Sequence, residues 1–591
     1  MLTENNKAAD ILLNNGRFFT LNDSCPWAEA VAIKDGRIVF VGTDREAAAH
    51  IGADTRVIDL NKRFVAPAFT DSHMHPVTGA HRYINCLALY NVHGEDLVGE
   101  YLAEAARFAQ SHPEISWIEG GGFRRSAFDE TGPRKEWLDR VEPRRPVSII
   151  SKDGHSMWVN SRALEAAGIT ARTPDPLNGV IQRDPATGEP TGLLQEAAMD
   201  PVKALIPKPN KDQVKKALLW LQEWLNREGI TTVHDADLEI DSAAVYEAYQ
   251  ELAEQGRLTV RYRASWRLHP DRDYLGVIAR ALELSKKFTT PHFRADSFKF
   301  FADEVIEEET GFLLEPYAHR SDGWRGIKDW DDLELEKAFA GVRQGGGQVH
   351  VHAIGDGAIR SCLDVLEKVQ SRSPGPDWRP ILAHIQMAAP ADIRRMADLG
   401  VIAVTAPYWC AIDDYFWDLY VPYLGRERAF HGQYPLKSLF DAGVTVAIHS
   451  DFSVTEPDVM FALYSALTRR LPHRVFERQF GRKPGYRWVS DDDAILEKGD
   501  IGSLPPAGER IGLAEALRAA SLNGAYANHL EHDLGSIEAG KLADLTVLDR
   551  DPFESGVEDI PANKVVLTFF EGRMVYHDAR AWSWNPDAAR I

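Results

Sequence analysis

Three textures of apolar and polar positions follow one another along the chain. The first 65 residues alternate in short runs broken by turns, at 10–20, 28–34 and, after the hairpin signal Asp35-Gly36, 37–41. The middle of the chain has a second texture. Compact apolar runs at 64–69, 231–234, 259–264, 297–301, 348–352, 381–384, 402–405 and 445–449 are separated by helical patterns such as 329–341, 359–370, 391–399 and 436–441. Apolar strands alternating with amphipathic helices predict an α/β fold with a parallel sheet. Eight such strands match a (β/α)8 TIM-type barrel, whose active sites lie at the carboxyl ends of the strands. An open doubly wound sheet is the competing architecture, but no glycine-rich nucleotide fingerprint follows any strand.

The first texture returns near the other end. Residues 535–544 (Gly-Ser-Ile-Glu-Ala-Gly-Lys-Leu-Ala-Asp) lead into runs at 545–548 and 565–570, the latter closed by Glu571-Gly572. All-β ends around a long middle predict one composite β-sandwich from residues 1–65 and 531–591, with the barrel at 66–530. Residues 78–228 fall between the first two barrel strands and hold a strand pattern at 146–151 and a helix pattern at 211–227. They are expected to form an inserted subdomain over the barrel mouth. Length alone leaves residues 470–510 as a lid, a subunit contact or a disordered segment.

Composition narrows the class of partner. A net charge of −21 over 591 residues disfavours nucleic acid and anionic membranes, which both require clustered Lys and Arg. Hydrophobic content of 44% with 26% charged residues is ordinary for a soluble globular enzyme. Cys25, Cys86, Cys362 and Cys410 show no Cys-x-x-Cys spacing, which argues for a reducing compartment rather than a disulfide framework. The first ten residues lack a secretory layout, and no apolar run approaches the ~18 residues that span a bilayer. A cytoplasmic protein acting on a small-molecule substrate is expected, with a homodimer as the default assembly.

Candidate chemistry sits at the ends of the predicted barrel strands. His73 and His75 lie two apart, so on an extended strand both imidazoles face one side while Met74 faces away. The pair alone is weak, because 20 His in 591 residues give about 0.7 His-x-His matches by chance. A second pair, His350 and His352, ends the fifth strand, and by period both point into the barrel. Lys299, His384 and Asp451 each lie at the end of another apolar run. Imidazoles and a carboxylate converging from several strands suit a divalent ion. Zinc is the default for a nitrogen-rich set, and manganese, iron or cobalt can take the same ligands.

These residues belong to wider motifs. They include residues 67–75 (Pro-Ala-Phe-Thr-Asp-Ser-His-Met-His), Lys152-Asp153-Gly154-His155 through Asn160-Ser161-Arg162-Ala163-Leu164, and Lys299-Phe300-Phe301-Ala302-Asp303. Further along come His352-Ala353-Ile354-Gly355-Asp356, Ala383-His384, His449-Ser450-Asp451 and the closing Gly-Ser-Ile…Gly-Lys-Leu-Ala-Asp segment. Together they resemble the amidohydrolase superfamily, specifically the amidohydrolase 3 (YtcJ-like) group, over nearly the whole chain. The resemblance implies a metal-dependent hydrolase barrel with a composite β-sandwich, and it selects His352 over His350 as ligand. It implies one or two ions held by His73, His75, Lys299, His352, His384 and Asp451. His73, His75 and Asp451 would take one ion, and His352 and His384 the other. Lys299 is assigned by resemblance as an N6-carboxylated bridge; the bland reading is a strand lysine paired with Asp296 or Asp303. Two positions depart from the group's pattern. His449 stands where relatives commonly carry Gly or a small residue, and Glu304 replaces the usual Gly after Asp303.

Asp451 is the expected general base, taking a proton from the attacking water and delivering it to the leaving nitrogen. Its bland alternative is an N-cap after a strand. Asp71 is a candidate to accept a ligand imidazole's second N–H. His155 is expected to fold over the mouth and polarise the scissile carbonyl or bind substrate, or else to be a satisfied buried histidine. Trp266, Tyr408 and Trp409 are candidate pocket walls, whereas His81, His93, His319 and His431 read as surface or core residues. The leading expectation is a metal-dependent amidohydrolase that cleaves a non-peptide C–N bond of a small molecule: an amide, formamide or cyclic amide. Ester or lactone hydrolysis, or a lyase or isomerase reaction on the same metals, stays open, since activated water does not distinguish ester from amide. A dead barrel serving as scaffold should have lost ligands that are all present here.

Overall fold

The computed structural model describes residues 8–582 apart from 95, 130, 177, 374–376, 414, 482–484 and 493. The first seven residues, part of the stretch read above for a secretory signal, lie outside the described residues. Eight strands form one parallel sheet in chain order: β1 (Phe69–Met74), β2 (Ile230–Leu238), β3 (Arg261–Arg267), β4 (Phe293–Phe301), β5 (Gln348–Ala353), β6 (Ile381–His384), β7 (Ile402–Thr405) and β8 (Thr445–Ile448). The ladder stops between β8 and β1, and the gap is bridged just past the strand ends. The Asp451 N–H donates to the His73 carbonyl at 3.0 Å, and the His75 N–H to the Phe452 carbonyl at 2.8 Å. The result is a nearly closed barrel. Helices such as Asp332–Gln344, Asp356–Arg372, Pro390–Asp398 and Leu436–Asp441 lie between successive strands.

The strands show why the apolar runs are so continuous. In β5, Val349 and Val351 join the large apolar core with Ile359, Cys362, Leu363 and Leu366 of the following helix, while His350 and His352 hydrogen-bond to inward neighbours. Every residue of β5 is buried, as a strand covered on both faces must be. The barrel interior is largely polar: His73, His234, Ser265, Lys299 and His350 are all fully buried within it.

Two predicted strands divide. The run 64–69 spans two sheets: Phe64–Pro67 pairs antiparallel with Leu545–Leu548, and the barrel strand begins only at Phe69. Ala68 marks the change, its N–H donating to the Asp544 carbonyl at 2.9 Å. Both segments are buried, so hydropathy carries no sign of the break. The run 10–20 divides into Ile11–Asn14 and Arg17–Phe19, with Asn15 at φ +49° between them. These two pieces enter different sheets. One has the order Arg37–Gly42, Ala30–Lys34, Ile11–Asn14, Arg56–Asp59; the other runs Arg573–His577, Val565–Phe570, Leu545–Leu548, Phe64–Pro67, Arg17–Phe19, Trp27–Ala28. Leu13, Val31 and Ile58 of the first share one apolar core with Phe18, Val547 and Phe569 of the second.

Between β1 and β2 a further six-stranded mixed sheet has the order Gly179–Arg183, Pro190–Glu196, Ser156–Val159, Val147–Ser151, Ile118–Phe123, Leu87–Ala88. It is followed by the helix Lys211–Arg227, whose capping box on Asn210 and Gln213 sets its start. No helix among the described residues is long and apolar enough to cross a membrane.

One ion pair ties the barrel base to the C-terminal strands. Arg261 of β3 reaches Asp544 at 2.5 Å and Glu571 at 2.8 Å, with the Arg261 and Asp544 side chains 5% and 4% exposed. Asp544 also accepts the Glu571 N–H at 2.9 Å. Removing one partner of a buried pair strands the other charge, so Asp544→Ala is expected to cost about 3–5 kcal/mol in a urea unfolding titration. A change below about 1 kcal/mol, the value of an exposed pair, would contradict this account of the junction.

Candidate metal centre

The carboxyl ends of the strands converge on a cluster of imidazoles around one carboxylate. Asp451 Oδ1 lies 3.1 Å from His75 Nε2 and 3.6 Å from His73 Nε2, and Oδ2 lies 4.0 Å from His384 Nδ1. One atom from each of His73, His384 and Asp451 falls within 4.8 Å of the others, close enough to share an ion. The His384 ring is 4.8 Å from that of His73 and 4.5 Å from that of His352. Lys299 Nζ is 3.3 Å from His73 Nε2.

Register places each donor. Lys299 of β4 pairs with His350 of β5, Phe301 with His352, and Ala353 with His384. Lys299 and His350 therefore sit one layer below Phe301 and His352. Both histidines of β5 face inward, but they do different jobs. His350 Nε2 meets His73 Nδ1 at 2.7 Å, and its Nδ1 meets His234 Nε2 at 3.2 Å, which in turn meets Ser265 Oγ at 2.7 Å. His73 thus has its second ring nitrogen occupied from below. Asp71 does not take that role: it accepts the Ser450 and His73 backbone N–H groups, at 3.2 and 3.3 Å, and so braces the β1–β8 seam.

His352 is oriented from the next loop. Its Nε2 lies 3.2 Å from the Glu304 carbonyl, which can only accept, so Nε2 carries the proton and Nδ1 keeps its lone pair. The loop needs a glycine at 355, because a Cβ there would meet the Phe312 carbonyl oxygen at 2.0 Å. Gly355 and Ile354 donate to the Asp303 carboxylate at 2.8 and 2.9 Å. Asp303 is therefore committed to backbone, and Asp296 pairs with Arg263 at 2.6 Å. Neither serves as partner to Lys299.

Electrostatics suit a cation held by neutral rings. Burial pushes His73 and His384 well below the ordinary imidazole range and His352 down to about 3. Burial likewise lowers Lys299 to about 7, against the opposing charges of Asp451 and Asp237. Burial would raise Asp451, but the hydrogen bond and charge of His75, with His449 and Lys299, outweigh it and hold the carboxylate at about 2. His384 Nδ1 and both ring nitrogens of His449 have no hydrogen-bond partner among the described residues, although both side chains are buried. Orphaned buried nitrogens, neutral imidazoles and an ionised carboxylate are the donor set a divalent cation takes.

A cavity of about 490 Å³ opens above this centre. His352, His384 and Asp451 form its floor, and Tyr83, Tyr90, Tyr408 and Trp409 are among its walls. Trp409 also stacks on His384 at 5.6 Å. Trp266 is elsewhere. It is fully buried on the outer side of β3, donating to the Ala295 carbonyl at 2.8 Å and packing on Tyr246, so it is not a pocket wall. In β3 the polar Arg263, Ser265 and Arg267 point inward and the apolar residues outward. His93, read as a surface or core residue, lines the cavity. Part of the 470–510 segment also reaches the cavity: Leu471, Val475 and Arg478, around the helix His473–Gln479, form one wall.

His155 comes from the insertion. The turn before it needs Gly154 at φ +90°, and Asp153 accepts the His155 N–H at 3.1 Å. Its ring centroid stands 6.0 Å from that of His352, on the cavity wall. His155 Nδ1 lies 3.0 Å from Glu196 and 3.2 Å from Glu304. Burial disfavours its charged form, but the two carboxylates reverse this and raise its pKa well above the ordinary value. Glu196, His234 and the Asp237–Arg267 pair, 3.0 Å long, were not among the sequence candidates. Polar-inward alternation could have flagged His234 and Arg267, but Asp237 has the opposite parity to His234 and meets Arg267 only past the register shift between Asp235 and Leu238.

A family model described as "Amidohydrolase family" matches residues 56–576. The chain is 29% identical to the Bacillus subtilis (strain 168) protein YtcJ, which carries an amidohydrolase designation, over 95% of this chain and 98% of that one. It is 26% identical to N-substituted formamide deformylase of Arthrobacter pascens, over 96% and 98% of the two chains. Among solved structures, a metal-dependent hydrolase from Pyrococcus horikoshii OT3 superposes with a TM-score of 0.68 at 20% identity, covering 93% of this chain and 99% of that one.

His350 is not among the residues lining this cavity, yet it occupies the second nitrogen of His73. Replacing it with Ala is expected to weaken divalent-ion binding about 10- to 100-fold, measured by competition with a chelator. Unchanged affinity in a folded His350→Ala protein would remove the buried histidine column from the account of the site.

Proposed function

The chain belongs to the amidohydrolase family, a hydrolase of carbon–nitrogen bonds other than peptide bonds, and from that premise we propose that it removes the acyl group from a small N-substituted amide, of which a formamide is the leading case. The observation that carries this reading is the ionised Asp451 carboxylate set beside His75 and the neutral His73 and His384 beneath the cavity. The aromatic walls suit an apolar N-substituent, and a formyl group is small enough to reach the floor between them. The two β-sheets sharing a core are read as a sandwich assembled from both termini, outside the chemistry.

His73, His75 and Asp451 would hold one ion and His352 and His384 a second, with zinc favoured by the nitrogen donors. Such an ion supplies Lewis acidity: it brings the pKa of water toward neutrality and polarises a carbonyl. Lys299 is read as the bridging carbamate. Its nitrogen, with a pKa lowered to about 7, is in good part unprotonated at neutral pH and so able to attack carbon dioxide. Loss of one proton from that nitrogen then leaves a carboxylate in place of a cation.

Asp451 remains ionised across the neutral range and is placed to accept a proton from water as the oxygen attacks the acyl carbon. It then delivers that proton to the nitrogen as the C–N bond breaks, so that one water is consumed and an amine and an acid leave. His155, with Nδ1 committed to carboxylates, presents its other N–H toward the cavity, where it can hydrogen-bond the carbonyl oxygen as negative charge develops. Tyr408 and Trp409 confine the substituent.

Asp451→Asn is expected to lower kcat by about 10³-fold or more while the fold and most bound metal persist, judged by circular dichroism and elemental analysis. Retained turnover in that variant rules out the proposed proton shuttle. Protein equilibrated with 13C-labelled bicarbonate is expected to show a carbamate resonance that Lys299→Met abolishes. The same resonance surviving the substitution would assign the label elsewhere and leave Lys299 as a plain amine.

A further inference from the structure

We propose that Glu304 is the positioning residue that joins the inserted sheet to the metal centre: its backbone carbonyl orients His352 and its carboxylate, with Glu196, holds His155 over the cavity. The inference rests on the reading of His155 as a group that meets substrate.

A single residue touches both histidines. The Glu304 carbonyl oxygen is 3.2 Å from His352 Nε2, and the Glu304 carboxylate is 3.2 Å from His155 Nδ1. His352 belongs to the barrel and His155 to the insertion, so Glu304 links the two through its backbone carbonyl on one side and its carboxylate on the other. The neighbouring contacts share that direction. Glu308 accepts hydrogen bonds from Ser156, at 2.6 Å, and from Gln195. Thr310 donates to Glu196 at 3.1 Å, and Asn178 to Asp329 at 3.2 Å. The loop that follows β4 thus carries a row of acceptors and a hydroxyl that grip the insertion at residues 155–156 and 195–196. Glu196 lies at φ +50°, a conformation a non-glycine residue keeps only when its surroundings hold it there. Both carboxylates meet the same nitrogen, Nδ1, which fixes the ring so that Nε2 is the free edge on the cavity side.

A glycine at 304 would keep the carbonyl that orients His352 and lose the carboxylate that holds His155. The substitution therefore separates the two duties of this position.

The test uses full-length, metal-loaded protein with an N-substituted formamide as probe, in a cycle of Glu304→Gln, His155→Ala and the double variant. Glu304→Gly serves as a second probe of the carboxylate. If Glu304 acts through His155, the Gln and Gly variants lower kcat about tenfold with KM nearly unchanged, and Glu304→Gln adds less than about twofold on the His155→Ala background. Independent, multiplying effects on kcat overturn the proposal, as does a loss confined to metal content. Hydrogen exchange gives a readout that needs no turnover. The Glu196 N–H donates to the His155 carbonyl at 3.1 Å, and peptides covering residues 153–157 and 194–197 are expected to exchange at least threefold faster in both Glu304 variants. Unchanged exchange overturns the clamp. Faster exchange in a protein inert toward every amide offered retains the clamp and removes the hydrolytic reading instead.

Discussion

Closure of the barrel between its first and last strands is the constraint on which the site depends. The bonds that close it are made by the residues that offer metal donors: Asp451 donates its N–H to the His73 carbonyl, and His75 donates to that of Phe452. Residues nearly 380 positions apart are therefore held together by backbone before any ion is considered. Asp451 and His384 both sit at positive φ, +54° and +76°, conformations that cost energy for residues with a side chain. Such strain persists where the surroundings over-determine it, and here the β1–β8 seam and the β5–β6 ladder do so. A cation entering this cluster meets donors already in place, and little of its binding free energy goes into ordering chain.

The second determinant is the deep burial of the polar barrel interior. Burial keeps the imidazoles neutral, as metal ligation requires, and it lowers the Lys299 amine toward neutral pH. Carboxylates respond according to their company. Asp451 stays ionised because His75, His449 and Lys299 outweigh burial, whereas at Asp71 burial outweighs the hydrogen bonds from Ser450 and His73 and raises it to about 7. Two carboxylates at one seam thus divide into a charged group facing the cavity and a structural group behind it.

Above the floor, specificity is assembled from parts that do not belong to the barrel repeat. The insertion brings Tyr83, Tyr90 and His155, the loop after β4 brings Val305 and Glu307, and the segment after β8 brings Val475 and Arg478. Loops on a rigid scaffold can change without disturbing the strands beneath. The contacts of Glu304 with His352 and His155 show how such added parts are kept in register with the floor.

Much of the frame was legible in the order of residues. The strands Leu545–Leu548 and Val565–Phe570 and the helices Lys211–Arg227 and Leu436–Asp441 end where the pattern places them, because period and turn residues are local signals. The candidate donors were legible from two local signals: alternation puts His73 with His75 and His350 with His352 on one face of a strand, and Lys299, His384 and Asp451 each end an apolar run. Trp266 reads as a residue beyond a strand ending at 264, but the strand runs on to Arg267 and Trp266 falls on its outer face, where in β3 the polar residues mark the interior. The split of 64–69 between two sheets left no trace, since both pieces are buried. The sequence by itself determined the repeat of strands and helices and which residue types stand at their ends. Which nitrogen of His73 is occupied by His350, that Asp71 braces a seam, and that Glu196 and Glu304 share His155 were decided by tertiary structure alone. Those contacts join residues about 40 to 380 positions apart, whose meeting depends on barrel closure and loop packing rather than on any local preference of the chain.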